Sequence, residues 1–119
     1  MDYKNLNKVR VHNKKETVKH FMIKAMVLKI LFNEGYECYT EREINKYVNP
    51  RKVKTRVADV CAIKSKERII VEVETKPTIK HNKELLDFYE SDNLYIIDVR
   101  DISEDLNQME AQLRHILGM

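Results

Sequence analysis

Residues 68–77 read RIIVEVETKP, a β-branched run that carries Glu72, Glu74 and Lys76 at a spacing of two. Successive side chains of a strand point to opposite faces. A strand here sends those three charged groups one way and Val71, Val73 and Thr75 the other. Two carboxylates and an ammonium on one face of so apolar a strand are costly if buried without partners. Their chemistry is that of a cation site. Hard oxygen ligands of this kind suit Mg²⁺ or Mn²⁺ rather than zinc. Lys76 could orient a water or stabilise charge that develops on a phosphate.

A third carboxylate joins them through the preceding strand, TRVADVCAI at residues 55–63. A two-residue turn (65–66) or a four-residue turn (64–67) gives the same hairpin register. Asp59 then faces Glu72, and Val57 faces Glu74. Like charges directly opposite destabilise a sheet. The neighbours are apolar on both sides: Val57, Cys61, Ile63 and Ile70 on one, Ala58, Val60, Ala62, Val71 and Val73 on the other. A solvated edge hairpin therefore fits poorly, and a divalent cation among the carboxylates fits well.

The elements that must position this hairpin follow from periodicity. Residues 13–33 predict a helix, with Asn13 and Glu16 spaced as a capping box. Val18, Phe21, Met22, Ala25, Leu28 and Phe32 recur at helical spacing, and Gly35 is the stop. Glu16, His20 and Lys24 form one polar stripe on it, four residues apart. Residues 36–41 predict a strand. Residues 42–54, REINKYVNPRKVK, predict a basic loop or short helix. Strands at 55–63 and 68–76 follow, the second ended by Pro77. A helix at 79–90 has Leu85, Leu86 and Tyr89 as its apolar positions. Residues 94–99 predict a fully buried strand, and Ser103 caps a helix at 104–117 closed by Gly118. The order α-β-β-β-α-β-α predicts a single α/β domain over 1–119, with a mixed central sheet flanked by helices.

Composition bounds the function. With 2 Gly, 2 Pro and 43% hydrophobic residues the chain predicts an ordered core rather than disorder. No apolar run reaches the roughly 18 residues of a membrane span. The polar N-terminus, MDYKNLNKVR, does not read as a secretory signal. Cys38 and Cys61 lack zinc-site spacing and predict two buried thiols in a reducing, cytoplasmic setting. Charge is uneven. Residues 1–56 carry 14 Lys/Arg and 6 Asp/Glu, a net +8, whereas 57–119 carry 8 and 13, a net −5. A basic half suits phosphates and an acidic half suits cations.

RVADV with Asp59 as its acid, a short turn and IIVEVETK, behind a helix with His20 and Lys24 and the run GYECYTE ending in Glu41, resemble the PD-(D/E)xK nuclease superfamily. The small archaeal, phage-type and competence-associated members are the nearest in pattern, and the likeness covers about residues 15–100. It implies metal-dependent hydrolysis of phosphodiester bonds by a metal-activated water, usually in DNA, with the associated roles in recombination and repair. Asp59 is by that likeness the first ligand of Mg²⁺ or Mn²⁺. Glu74-Thr75-Lys76 fits the acidic-x-Lys half-motif literally. The hairpin register instead makes Glu72 the second ligand, with Glu74 in the usual Lys position as third ligand or water-orienter, and the Lys displaced to 76. Ala58 stands where the motif has Pro. Glu16 and His20 are candidate contributions from the first helix, and Glu41 could line the cleft.

Lys46, Arg51, Lys52, Lys54 and Arg56 are the candidate DNA-binding residues, with Tyr39 and Tyr47 able to stack on bases and Lys4 to Lys15 a possible second phosphate arm. The expected partner is DNA, double-stranded, branched or single-stranded. A homodimer through the 104–117 helix is the further expectation. Two alternatives remain: an inactive nuclease-fold protein that binds nucleic acid or a protein, and an RNA-processing nuclease.

Overall fold

The structure, a computed structural model, describes residues 16–119. Its order is α1 (Val18–Asn33), β1 (Glu37–Asn49), β2 (Lys52–Lys64), β3 (Glu67–Glu74), α2 (Ile79–Phe88), β4 (Asn93–Asp98), a single 3₁₀ turn and α3 (Leu106–Leu117). The four strands form one mixed sheet in the order β1-β2-β3-β4. β1, β2 and β3 pair antiparallel, and α2 is the crossover that lets β4 join β3 in parallel. The expected α/β class is the one observed. No helix among the described residues is long and apolar enough to cross a membrane.

α1 and α3 cover one face of the sheet. Ile23, Val27 and Leu31 of α1 and Met109, Leu113 and Leu117 of α3 pack with Val60, Ala62, Val71 and Ile97. Each such side chain contributes about 1.5–3 kcal/mol on burial. α2 covers the other face, placing Leu85 and Tyr89 on Ile44, Ala58, Cys61 and Ile70. Cys38 and Cys61 are free thiols on opposite faces, and burial pushes the Cys38 thiol up to about 12.

Several boundaries differ from the sequence reading. α1 starts at Val18 with Thr17 as N-cap, its side chain accepting from His20 N at 3.1 Å. Asn13 lies outside the described residues, as does the segment 4–15. Its C-terminus is a full Schellman closure: Gly35 has φ 92°, and Gly35 N and Tyr36 N reach Phe32 O and Leu31 O. Val18 and Phe32 are exposed, while His20 and Lys24 are buried. A helix apolar on most of its circumference does not reveal from its own sequence which side faces the sheet. α3 is capped by Asp105, two residues after Ser103, whose hydroxyl bonds Gln108 instead. Its apolar face, Met109, Leu113 and Leu117, goes into the core. β4 is an edge strand with only Ile97 buried, not a fully buried one. β3 ends at Glu74, so Lys76 lies past the strand.

The largest difference concerns residues 42–54. They are neither loop nor helix but the outer part of a long β1–β2 hairpin, turned at Pro50–Arg51. β2 pairs with β3 only from Lys64 back to Val60. From Ala58 to Lys52 it pairs with β1 alone, and the hairpin leaves the sheet as a two-stranded ribbon. The departure is marked by Glu41, a non-glycine residue with φ 51°. Tyr39 and Cys61 lie on the α2 face, and so do Ile44 and Ala58. The side-chain alternation therefore loses one step at Glu41 and Asp59. A left-handed non-glycine residue costs about 1–2 kcal/mol.

Candidate functional site

The departure of β2 from β3 opens a cleft of about 590 Å³. Its walls come from four elements: Glu16, Thr17 and His20 at the start of α1, Thr55, Arg56, Val57 and Asp59 of β2, Glu72 to Lys76 at the end of β3, and His81 on the first turn of α2. Asp59, Glu72, Glu74, Lys76, Glu16 and His20 all line it.

The register expected for β2 and β3 is the one observed, with a two-residue turn at Ser65–Lys66. The ladder nevertheless stops one pair short of Asp59 and Glu72. Asp59 Oδ2 instead accepts from Val73 N at 2.7 Å, where a regular ladder would have placed backbone. Asp59 and Glu72 are 6% and 5% exposed, so both carboxyls are largely cut off from water. Burial first, then the Asp59 charge and a hydrogen bond between the two carboxyls, push Glu72 up to about 9. Tyr89 OH donates to Glu72 Oε1 at 3.1 Å and is itself raised, by burial and by the Glu72 charge. Burial beside Asp59 therefore favours the protonated form of Glu72.

α1 fixes the strand end from the other side. His20 Nε2 lies 2.8 Å from Val73 O, and His20 Nδ1 lies 2.5 Å from Glu16 Oε1. Both ring nitrogens face acceptors. Glu16 also meets Lys24 Nζ at 2.7 Å, and Lys24 lies 4.0 Å from Glu41. Lys24 is completely buried. Glu16, His20, Lys24 and Glu41 are thus one buried ionic chain, and its last link, His20 Nε2, lies 3.8 Å from Asp59 Oδ2. Glu41 faces this chain and does not line the cleft, because its left-handed backbone turns it toward α1.

Glu74 does not converge on Asp59 and Glu72 as a third ligand. It is drawn to His81, whose Nε2 lies 2.9 Å from Glu74 Oε1. Among the described residues no group of three His, Cys, Asp or Glu side chains is arranged to hold a metal ion as it stands. The Asp59–Glu72 pair does fit a divalent cation in one respect: two oxygen-bearing acids are buried side by side, and a cation could supply the positive charge they lack. His81 carried no sequence signal. It sits three residues after the Thr78 N-cap, and only the turn of α2 over the end of β3 brings it to Glu74.

The candidate DNA-binding residues separate. Lys46 is tied to α2, reaching Asp87 O at 3.1 Å and Glu90 Oε1 at 3.2 Å. Arg56 lies 6.0 Å over the Phe88 ring and also borders the cleft. Arg51, Lys52 and Lys54 are exposed on the outer ribbon. Tyr39 is covered by the Arg42 guanidinium at 4.0 Å, whereas Tyr47 is 77% exposed. Compared with known protein families, curated proteins and solved structures, the chain matches none.

Proposed function

We propose that the protein is a divalent-cation-dependent endonuclease that hydrolyses phosphodiester bonds of DNA at the Asp59–Glu72 cleft. The observation that supports this most is the placing of two acids side by side, both nearly inaccessible, where β2 and β3 part. Folding alone gives no reason for it, because paired apolar residues there would be at least as stable. Asp59 and Glu72 would hold Mg²⁺ or Mn²⁺. When bound, the cation supplies Lewis-acid activation of water and neutralises charge on the phosphate.

The remaining roles belong to the chain itself. Val73 N–H fixes the rotamer of Asp59, and Tyr89 OH fixes that of Glu72. His20 holds the Val73 carbonyl and with it the strand end that carries both glutamates. Lys76 and Arg56 at the rim present cations to a phosphate in the cleft. The Glu74–His81 pair offers an acceptor and a donor to a water there.

Supercoiled, linear, single-stranded and four-way-junction DNA, incubated with Mg²⁺ or Mn²⁺, test the reading. The parent protein nicks or cuts at least one of them, and a folded Asp59→Ala variant cuts none. A folded Asp59→Ala protein as active as the parent would sink the assignment. One observation favours a second reading, a non-catalytic nuclease-fold protein. Glu74 stands where the superfamily pattern has Lys, and it is engaged by His81. DNA binding without cleavage under either cation selects that reading, and cleavage of RNA alone selects an RNA-processing nuclease.

A further inference from the structure

Past Lys46 and Arg56, which both reach α2, the β1–β2 ribbon carries no buried residue. Residues 47–55 are all exposed. An isolated two-stranded hairpin is marginally stable in water. This one also exposes Tyr47, Val48 and Val53, the first at 77%. Residues 42–56 contain six Lys/Arg and one acidic residue, Glu43. Among the described residues, Arg51, Lys52 and Lys54 meet no carboxylate, while Lys46 at the ribbon's base is held on α2 by Glu90. The ribbon is therefore anchored at its base and free and cationic at its tip.

We infer that this ribbon is a duplex-DNA reader that lies in the major groove and presents the adjoining backbone to the cleft. Three observations favour that occupant. A two-stranded β-ribbon fits the major groove of B-DNA, about 12 Å wide, whereas the major groove of A-form RNA is too narrow for side chains to read. Single strands are held on platforms of several stacked aromatics, and the outer ribbon offers only Tyr47. The seven residues from Lys52 to Ala58 span roughly 23 Å at a strand's rise. That is about seven base pairs, enough for the tip to engage the groove while Arg56 and Asp59 stay beside a phosphate. Arg51, Lys52 and Lys54 neutralise phosphates, and Tyr47 packs at the base edges.

The inference deepens the nuclease reading by naming its substrate as duplex. It rests on that reading only for what happens in the cleft, and binding without divalent cation tests it separately. Fluorescence anisotropy of the full chain in EDTA compares a labelled 24-mer as duplex DNA, single strand and duplex RNA over a salt series. The parent is expected to bind duplex DNA at least about tenfold tighter than either alternative. Replacing Arg51, Lys52 and Lys54 together by Ala lowers the slope of log K against log salt by about 2.7, at about 0.9 for each phosphate no longer neutralised. Tyr47→Ala weakens binding about threefold to tenfold with the slope unchanged. Both variants keep the parent's melting temperature within a few degrees, because the tip contributes nothing to either core. Equal or tighter binding of single strand or duplex RNA, or an unchanged slope in the triple variant, overturns the inference. Duplex binding with the expected fall in slope but no cleavage under any cation leaves it standing and removes the nuclease reading instead.

Discussion

The two halves of the β1–β2 hairpin share strands, a register and a hydrogen-bond ladder, yet they obey different physics. The inner half, Glu37 to Thr40 against Val60 to Ile63, is covered on both faces and carries Cys38, Val60, Cys61 and Ala62 with no exposure. The outer half is basic and solvated. The change happens within one residue pair, at Glu41 and Asp59, where the alternation slips and β3 departs. The difference shows how a small domain can set an acidic site against a basic surface. One hairpin runs through both, and the acids sit at the point where burial ends.

The largest effect tests the acids at the junction. Asp59→Ala is expected to abolish cation-dependent cleavage. Its effect on stability is much smaller, because the unpaired Val73 N–H costs about 1–3 kcal/mol while the repulsion on Glu72 is relieved. Asp59→Asn keeps an acceptor for Val73 N, and it should melt closer to the parent while still failing to cleave. Cleavage assays beside thermal melts of the two variants check this. If both lost activity only in proportion to lost folding, the acids would be structural, and the contrast between the halves would carry no function. The ribbon triple variant is the complementary break: binding falls and stability does not.

Next in size is the ionic chain that backs the junction. Lys24 is fully buried against Glu16, and removing one partner of such a pair leaves the other charge uncompensated. Lys24→Met should destabilise the fold by about 3–5 kcal/mol. Urea unfolding midpoints measure this. A loss below about 1 kcal/mol would mean that His20 and the surrounding groups compensate Glu16 without Lys24, and that the junction is not held by this chain.

A pH series sharpens the comparison further. Glu72 is raised from about 4.5 in the unfolded chain to about 9 in the folded one, by burial and by Asp59. Between those values the folded state binds more protons than the unfolded one, so this group makes stability fall as pH rises from about 4.5 toward 9. Glu72→Gln removes that contribution, and its unfolding midpoint should depend less on pH across pH 5 to 9 than the parent's. Mg²⁺ should act in the same direction as the proton on the parent, raising its melting temperature at pH 8, and do little for Glu72→Gln. Equal pH slopes in both proteins would place the proton elsewhere.

Legibility in the sequence follows the same division. The β2–β3 hairpin, which continues the inner half, can be read because burial imposes a pattern: alternate β-branched residues and a short turn set the register that puts Asp59 beside Glu72. The outer ribbon, REINKYVNPRKVK, buries only Ile44, too little for a period of two to be read. Its strand character comes from continuing a ladder begun elsewhere. The face of α1 is illegible for the opposite reason, since apolar residues surround most of it. The slip at Glu41 and the Glu74–His81 pairing depend on tertiary placement, and no local spacing announces either. The polar stripe Glu16, His20, Lys24 does point to the strand end, because polar groups on a buried helix need partners there.

The smallest predicted effect lies at the turn of the β2–β3 hairpin, at the end of β2 away from the ribbon. Ser65, the first residue of the two-residue turn, has φ 56°, a conformation that costs a side-chain-bearing residue about 1–2 kcal/mol. Glycine relieves that strain but adds about 0.5–1 kcal/mol of unfolded-state entropy. Ser65→Gly should therefore stabilise the fold by roughly 0.5 kcal/mol. The turn is remote from the cleft, and the register it closes is already fixed by the pairs from Val60 to Lys64. Cleavage rate and the salt slope of DNA binding should not move. Stability that rises with both activities constant would show that the β2–β3 hairpin is a rigid support whose tightening does not reach the ribbon. A changed salt slope in Ser65→Gly would instead mean that strain passes along β2 through Asp59, and that the two halves are not separable at the junction.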